Sequence, residues 1–251
     1  MRIFHDSWLM FKRSMTAIIR TPEAMFMAII NPVVVMILFG AIFGNMVDME
    51  GFSYISFIVP AIVLQGIAQG ITSTAISLSN DMSKGIVDRF RSMPISKSSL
   101  LTGHAMTCIV MNLITTAVVI AVAIPVGFRP QASFLSWFAI GGIIILFTTA
   151  MTWLAVLAGV KAKAADAVTG YLFPLFILPF VSSGFAPVET MPAWMRWFAT
   201  HQPMTHVIDA LRGLMLDMPS GNAIPLALAW CVGITVAAFG FSVRAYKRKV
   251  S

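Results

Sequence analysis

The chain has 251 residues, of which 58% are hydrophobic and only 11% are charged. A soluble protein carries roughly 25% charged residues, so this chain has too few to cover a water-facing surface of its size. The composition therefore excludes a soluble globular protein, a disordered chain and a small secreted protein held together by disulfides.

Charged residues divide the sequence into six long uncharged segments. Each segment has between 22 and 31 residues, and together they cover 24–47, 51–80, 98–128, 130–160, 167–188 and 218–243. A bilayer core about 30 Å thick needs about 20 helical residues, so each segment can cross it. The sequence predicts an all-α integral membrane protein with six spans, with short interfacial or re-entrant helices before the sixth.

The positions of the basic residues predict the orientation of these spans. Most of the 17 Lys and Arg residues lie in residues 1–23, 81–97, 161–166 and 244–251. The exceptions are Arg129, Arg196 and Arg212. Cytoplasmic loops carry such an excess, so both termini are predicted to lie in the cytoplasm of a multi-pass protein of the cytoplasmic membrane. The net charge of +7 then indicates contact with anionic lipid headgroups and gives no support to nucleic-acid binding.

Residues 3–20 are predicted to form an amphipathic helix that lies in the inner membrane interface. Apolar side chains recur every three or four residues, at Phe4, Trp8, Phe11, Met15 and Ile18. The helix is either a simple anchor or also a docking surface for a cytoplasmic partner. A single domain, 1–251, then comprises this interfacial helix (1–23), a six-helix region (24–243) and a basic tail (244–251).

The second predicted helix, about 54–79, carries a polar stripe. Gln65, Gln69 and Thr72 are spaced at i, i+4 and i+7. Glutamine amides facing lipid are costly, so this face is expected to contact protein or a water-filled cavity. It either holds helices together or lines a substrate pathway.

The fifth predicted helix, about 167–183, is interrupted by Pro174 and Pro179. Prolines free backbone carbonyl groups, which a membrane helix tolerates where other helices or water satisfy them. We therefore expect this helix inside the assembly, beside the second. Its aromatic side chains include Phe173, Phe176 and Phe180.

Several kinds of chemistry are missing from the sequence. The phosphate-binding motif G-x-x-x-x-G-K-[S/T] does not occur. No acidic residue lies within a predicted span, and His104 is expected to be an interhelix contact, which disfavours a self-powered secondary transporter. Cys108 and Cys231 lack the spacing of a metal or redox site, so no metal site is predicted. Ser183, with His201 or His206 downstream, could suggest an intramembrane serine protease. The nucleophile motif G-x-S-x-G is absent around Ser183, however, which disfavours that function.

Two segments support a resemblance to a known family. Gly85, Asp88, Arg89, Arg91 and Pro94 form a Gly-x-x-acidic-Arg-x-Arg-x-x-Pro pattern between the second and third spans. The segment before the sixth span contains Ser183-Gly184-Phe185-Ala186-Pro187, Met191-Pro192, Trp194 and the run 202–212. With these motifs the whole chain resembles the membrane subunit of a type-2 ABC exporter, in the branch of daunorubicin-resistance and other multidrug permeases. Ile86 and Asp88 replace the Thr and Glu that are common in that family.

The resemblance implies a permease subunit with no catalytic residues and no bound cofactor. A second permease, identical or related, and two separate ATPase subunits that hold ATP and Mg would complete the exporter. The residues implied to couple the permease to the ATPase are Asp88, Arg89, Phe90, Arg91 and Pro94. A lipophilic or amphipathic compound, drug-like or lipid, would pass between the second and fifth helices along Gln65, Gln69, Thr72, Phe173, Phe176 and Phe180. A lipid-linked glycan or polysaccharide is an alternative cargo, and a secondary transporter is an alternative function.

Overall fold

The computed structural model describes residues 2–20, 22–44, 52–83, 99–162 and 165–250. Within these ranges all regular elements are helical, as the sequence predicts. In chain order they are α1 (Arg2–Ile19), α2 (Pro22–Phe43), α3 (Tyr54–Ser83), α4 (Ser99–Val126), α5 (Phe134–Lys161), α6 (Ala165–Ile177), the 3-10 turn Val188–Thr190, α7 (Ala193–His201), α8 (Pro203–Leu216) and α9 (Ala223–Val250).

Helix α3 is the centre of the fold. It packs against α2, α4, α5, α6 and α8, and Ile58, Ile62 and Ile71 along its length are fully buried. Lipid can cover an apolar helix in a membrane, so apolar composition alone does not place α3 at the centre. Its polar side chains, among them Gln65 and Thr72, favour contact with protein over contact with lipid.

Four of the six predicted spans are confirmed as helices long and apolar enough to cross a membrane, namely those in α3, α4, α5 and α9. The first and fifth predicted spans correspond to α2 and α6, whose apolar parts are shorter, at Ala28–Phe43 and Ala167–Ile177. Six spans with cytoplasmic termini stay a prediction. The expected extent of the fifth helix, 167–183, is wrong at its end: α6 stops at Ile177 and turns follow, because Pro179 disfavours helical geometry at Leu178.

The connection between α6 and α9 contains the short helices that its pattern predicts. In α8 the side chains of Val207, Ile208 and Leu211 are completely buried, and the helix packs against α3, α5 and α9. In α7, by contrast, Trp194 and Trp197 are 73% and 68% exposed. The two helices therefore differ: α8 belongs to the core, and α7 presents aromatic rings on the surface.

Thr205 does not begin α8, although its position after Pro203 suggests a capping residue. The helix starts at Pro203 itself, with Gln202 as the preceding residue, because proline fits the first helical position, where its missing N–H costs nothing. The Thr205 hydroxyl instead accepts a hydrogen bond from the backbone N–H of Ser183 at 3.4 Å.

Helix α1 packs closely against the start of α4. The hydroxyls of Ser7 and Thr102 are 2.8 Å apart, and a Cβ atom added to Gly103 would lie 2.4 Å from the Cβ atom of Met10. Such a distance is far below van der Waals contact, so only glycine permits this approach. The buried side of α1 is not centred on the predicted apolar face, because Met10, which lies outside that face, is buried against α4, while Trp8 on the face is 55% exposed.

We expect Gly103→Ala to lower the thermal unfolding midpoint of the purified protein and to accelerate trypsin cleavage in α1, because the new methyl group displaces Met10. Gly141→Ala on α5 is the matched control, since no atom lies within 4 Å of the added Cβ there. Alanine favours a helix over glycine by about 1 kcal/mol, so the control should be neutral or stabilised. Equal midpoints and cleavage rates in the two variants would contradict the close packing of α1.

Candidate functional site

The polar stripe of α3 and the proline-interrupted helix α6 lie side by side. The two helices pack directly against each other, as expected for the second and fifth predicted spans. Gln65 and Thr72 are buried, whereas Gln69 is half-buried and Ser73 and Ser77 are exposed. The stripe therefore has one part inside the subunit and another part that reaches its surface.

Two hydroxyls of α3 donate to carbonyls of their own helix, whereas the side-chain oxygen of Gln65 has no donor among the described residues. The hydroxyl of Thr72 donates to the carbonyl of Ala68 at 3.3 Å, and that of Ser73 donates to Gly70 at 2.8 Å. Gln65 Oε1 is buried and accepts no hydrogen bond from the residues that the structure describes. A buried amide oxygen without a donor is unfavourable, so this oxygen adds no hydrogen bond between the described helices.

The three phenylalanines predicted to line a pathway differ in exposure and in their contacts. Phe173 on α6 is 58% exposed, and Phe176 is half-buried. Phe180 lies beyond the end of α6 and stacks on Phe185, with the ring centroids 4.9 Å apart. Their contact with a substrate stays a prediction, since they occupy two different environments.

An aromatic cluster that the sequence did not indicate surrounds Phe180. Phe185 also lies against Phe39 of α2, with a centroid distance of 4.8 Å, and the hydroxyl of Tyr54 donates to the Phe185 carbonyl at 2.9 Å. These residues come from α2, α3 and the turns after α6. Because they are far apart in the chain and lack a common periodicity, no local pattern reveals them.

Arg212 of α8 donates hydrogen bonds to residues of three different segments at this end of the bundle. It is 9% exposed, and its two Nη atoms donate to Asp209 Oδ1 at 2.8 Å and to the Ser183 carbonyl at 2.7 Å. Its Nε atom donates to the Phe57 carbonyl at 3.2 Å. The guanidinium carbon lies 3.7 Å from the centroid of the Phe57 ring, within the range of a cation–π contact.

These contacts keep a buried charge stable. Burial lowers the pKa of Arg212 to about 10, against the opposing attraction of the Asp209 carboxylate, so the guanidinium stays charged at neutral pH. The hydroxyl of Ser183 donates to the same carboxylate oxygen at 2.6 Å. The i, i+3 spacing of Asp209 and Arg212 predicts their ion pair, but the contacts to Phe57 and Ser183 are apparent only in the structure.

Further hydrogen bonds hold the turns between α6 and α7. The side-chain amide of Gln202 donates to the carbonyls of Val181 at 2.6 Å and Leu178 at 3.2 Å. The Ser183 hydroxyl donates to Asp209, and His201 Nδ1 lies 2.8 Å from the Trp197 carbonyl. A protease pair of Ser183 with His201 is therefore not formed, and these residues serve to position the chain.

A second polar cluster lies at the Ser83 end of α3. Asp81 Oδ2 is 3.1 Å from His104 Nε2 on α4 and 3.4 Å from an Nη atom of Arg13 on α1. The prediction that His104 makes an interhelix contact is confirmed. The cluster ties three helices together where α3 ends.

The residues implied to couple to an ATPase lie beside this cluster in sequence. Asp88, Arg89, Phe90, Arg91 and Pro94 fall within 84–98, outside the described residues. The structure describes the two helices that flank this segment, α3 up to Ser83 and α4 from Ser99. The coupling role of the five residues stays a prediction.

Comparison with known proteins supports the family resemblance along nearly the whole chain. The family model described as ABC-2 type transporter matches residues 5–216, which run from α1 to the end of α8. A daunorubicin resistance ABC transporter permease protein of Streptomyces coeruleorubidus is 26% identical over 238 residues, covering 94% of this chain and 84% of that protein.

Two further relatives have the same kind of description. A probable doxorubicin resistance ABC transporter permease protein of Mycobacterium tuberculosis is 27% identical, covering 83% of this chain and 76% of that protein. An inner membrane transport permease of Escherichia coli is 24% identical, covering 81% of this chain and 80% of that protein.

We expect Arg212→Met to destabilise the protein by about 1–3 kcal/mol, because buried acceptors are left without their donor. Water partly compensates the carboxylate of Asp209, whose side chain is 36% exposed. The carbonyls of Phe57 and Ser183 would also lose their donor. Arg196→Met is the control: Arg196 likewise donates to two backbone carbonyls, of Glu189 and Met191, but it is exposed to solvent. Thermal unfolding in detergent measures the stability of both variants. If the unfolding midpoint falls no further for Arg212→Met than for Arg196→Met, the hydrogen bonds of Arg212 do not stabilise the fold.

Proposed function

This chain belongs to the ABC-2 type transporter family, and on that premise we propose that it is the permease subunit of an ATP-driven exporter. The observation that carries the proposal is the family match over residues 5–216, together with four helices long and apolar enough to span a membrane. The function of this chain is then to move a lipophilic or amphipathic compound outward. It is a transporter subunit rather than an enzyme, because nucleotide hydrolysis takes place in a separate partner.

The proposed topology has six spans and both termini in the cytoplasm. Helices α2 and α6 would add two spans to the four long ones, with turns or flanking residues completing their length. Placing α7 and α8 on the outer side leaves 14 of the 17 basic residues on the cytoplasmic side, in agreement with the positive-inside rule. The Asp81–His104–Arg13 cluster is then cytoplasmic, and the Arg212 network is external.

The proposed pathway runs along the surface-reaching part of the α3 stripe. Gln69 is half-buried and Ser73 and Ser77 are exposed in the single subunit, and a glutamine amide is unfavourable against lipid. A second copy of the chain, or a related permease, would cover this face and enclose a partly polar passage between α3 and α6. Gln65 and Thr72 would lie behind it, with Phe173, Phe176 and Phe180 supplying apolar contact.

The energy would come from ATPase subunits on the cytoplasmic side. Two permease and two ATPase subunits are proposed, with ATP and Mg held by the ATPases. Asp88, Arg89, Phe90, Arg91 and Pro94 would form the contact, since they follow α3 directly and carry the family's pattern. Closure of the ATPases would then act on the end of α3 that Asp81 joins to α1 and α4.

The descriptions of the relatives support a drug-like cargo. Two of the three relatives above are described as daunorubicin or doxorubicin resistance permeases. An exporter of a lipid-linked glycan would use the same machinery, but no feature of the described residues favours it.

Transport of daunorubicin by the permease–ATPase complex in inverted vesicles tests both parts of the proposal. We expect Gln69→Leu to lower drug transport about tenfold while ATP hydrolysis continues, which corresponds to the loss of one hydrogen bond of about 1.4 kcal/mol. We expect Arg89→Ala to abolish transport and to make ATP hydrolysis insensitive to the drug, because the contact with the ATPase is lost.

Thr149→Val on α5 is the control for Gln69→Leu. Its hydroxyl donates to Ile145 of the same helix at 2.7 Å, so it should leave transport unchanged. Transport at the wild-type rate in Gln69→Leu would remove α3 from the pathway. Normal coupling in Arg89→Ala would remove the proposed ATPase contact.

A further inference from the structure

The exposed surface of α1 combines positive charge with apolar side chains. An open groove of about 450 Å³ runs along it, lined by Leu9, Lys12, Arg13, Thr16 and Arg20. These positions repeat at three- and four-residue intervals, so they lie on one side of the helix. The groove thus presents three cations within about 12 Å, the rise of eight helical residues.

The opposite side of α1 is occupied by protein. Ser7 contacts Thr102, and Met10 is buried at the position where α4 has Gly103. Helical geometry places these two residues away from Lys12, Thr16 and Arg20. The groove therefore faces outward from the subunit.

The cations of the groove are not all neutralised. Arg13 lies 3.4 Å from Asp81, and that carboxylate also contacts His104. Among the carboxylates whose side chains the structure describes, none lies within ion-pair distance of Lys12 or Arg20. The groove consequently retains an excess of positive charge that an anion can balance.

An apolar ridge borders the groove and indicates which anion fits. Trp8 is 55% exposed and Ile19 is 61% exposed, and helical geometry places them on the Lys12 side of α1, one turn before Lys12 and about two turns after it. Leu9, which is 47% exposed, lines the groove itself. An acidic protein surface would leave a tryptophan and two aliphatic side chains without apolar contact, whereas a lipid provides a charged phosphate and an acyl chain together.

We propose that the groove on α1 binds the headgroup phosphate of an anionic phospholipid. Lys12 and Arg20 contact the phosphate, Thr16 lies between them, and Trp8, Leu9 and Ile19 contact the glycerol and upper acyl region. The site requires α1 to lie at the cytoplasmic face, where anionic lipids create a negative surface potential. Because Arg13 lines the groove and also contacts Asp81, a bound headgroup lies one side chain away from the end of α3.

Native mass spectrometry of the full-length chain in detergent tests this site. The probes are phosphatidylglycerol and phosphatidylcholine with identical acyl chains, and wild-type protein is expected to prefer phosphatidylglycerol. The double variant Lys12→Gln/Arg20→Gln should bind phosphatidylglycerol about 30-fold more weakly, since each basic residue near an anionic surface contributes about 1 kcal/mol. Its binding of phosphatidylcholine should not change.

The matched control is Arg244→Gln/Arg248→Gln, which removes the same charge from exposed positions near the end of α9. A loss of less than about threefold is expected there, because neither Arg244 nor Arg248 lines the groove and only the general attraction to an anionic headgroup is reduced. Equal losses in the two double variants would show general attraction and overturn the site, as would the absence of any preference in the wild-type protein. Displacement of phosphatidylglycerol by millimolar inorganic phosphate would point to a free anion instead of a lipid.

A last comparison separates lipid from protein. If the groove variant keeps its affinity for phosphatidylglycerol but loses the co-purified ATPase subunit, the groove is a docking surface for that subunit and the lipid site is refuted. Thermal unfolding should be the same in both double variants, because all four residues are exposed. The assay needs no transport, so its outcome is independent of the proposed export.

Discussion

The buried guanidinium of Arg212 is the contact on which the architecture around α8 depends. An ion removed from water costs several kcal/mol unless its charge and its hydrogen-bond donors are matched. Here Asp209, Ser183 and Phe57 supply the acceptors. They belong to α8, to the turns after α6 and to α3, so the requirement to satisfy one charge fixes three segments that are far apart in sequence.

The opposite end of α3 is held by a weaker set of polar contacts. Asp81 contacts His104 and Arg13, but the Arg13 side chain is 43% exposed, and water reduces the strength of such pairs. One end of α3 is therefore tightly fixed in the core, and the other ends in partly solvated pairs directly before 84–98. This difference suits a helix that is pushed from the Ser83 end, as the proposed coupling to an ATPase requires.

Hydropathy and charge spacing predict most of the fold. They predict the helices α3, α4, α5 and α9 closely, because a run of apolar residues without charge has few alternatives to a membrane helix. They do not predict where α6 ends or where α8 begins, since each boundary depends on how a proline fits its local backbone. Hydropathy and charge spacing also do not predict how α8 packs, because its packing depends on hydrogen-bond acceptors contributed by Phe57 and Ser183.

The candidate pathway is predictable to a similar degree. The polar spacing of Gln65, Gln69 and Thr72 and the prolines of the fifth span predict that these two helices lie side by side, which the packing of α3 against α6 confirms. It does not reveal that Gln65 is buried while Gln69 reaches the surface, since the orientation of the stripe depends on how α2, α4 and α5 cover α3. The contacts of Phe180 and Phe185 with Phe39 of α2 are tertiary and leave no periodic signal.

Under the proposed function this permease performs no energy conversion of its own. The most direct measurement compares ATP-dependent accumulation of daunorubicin in sealed proteoliposomes that contain the chain alone or the chain with its ATPase subunit. Accumulation against a gradient is expected only when both subunits and ATP are present. Concentrative uptake by the chain alone, driven by an ion gradient without nucleotide, would contradict the claim.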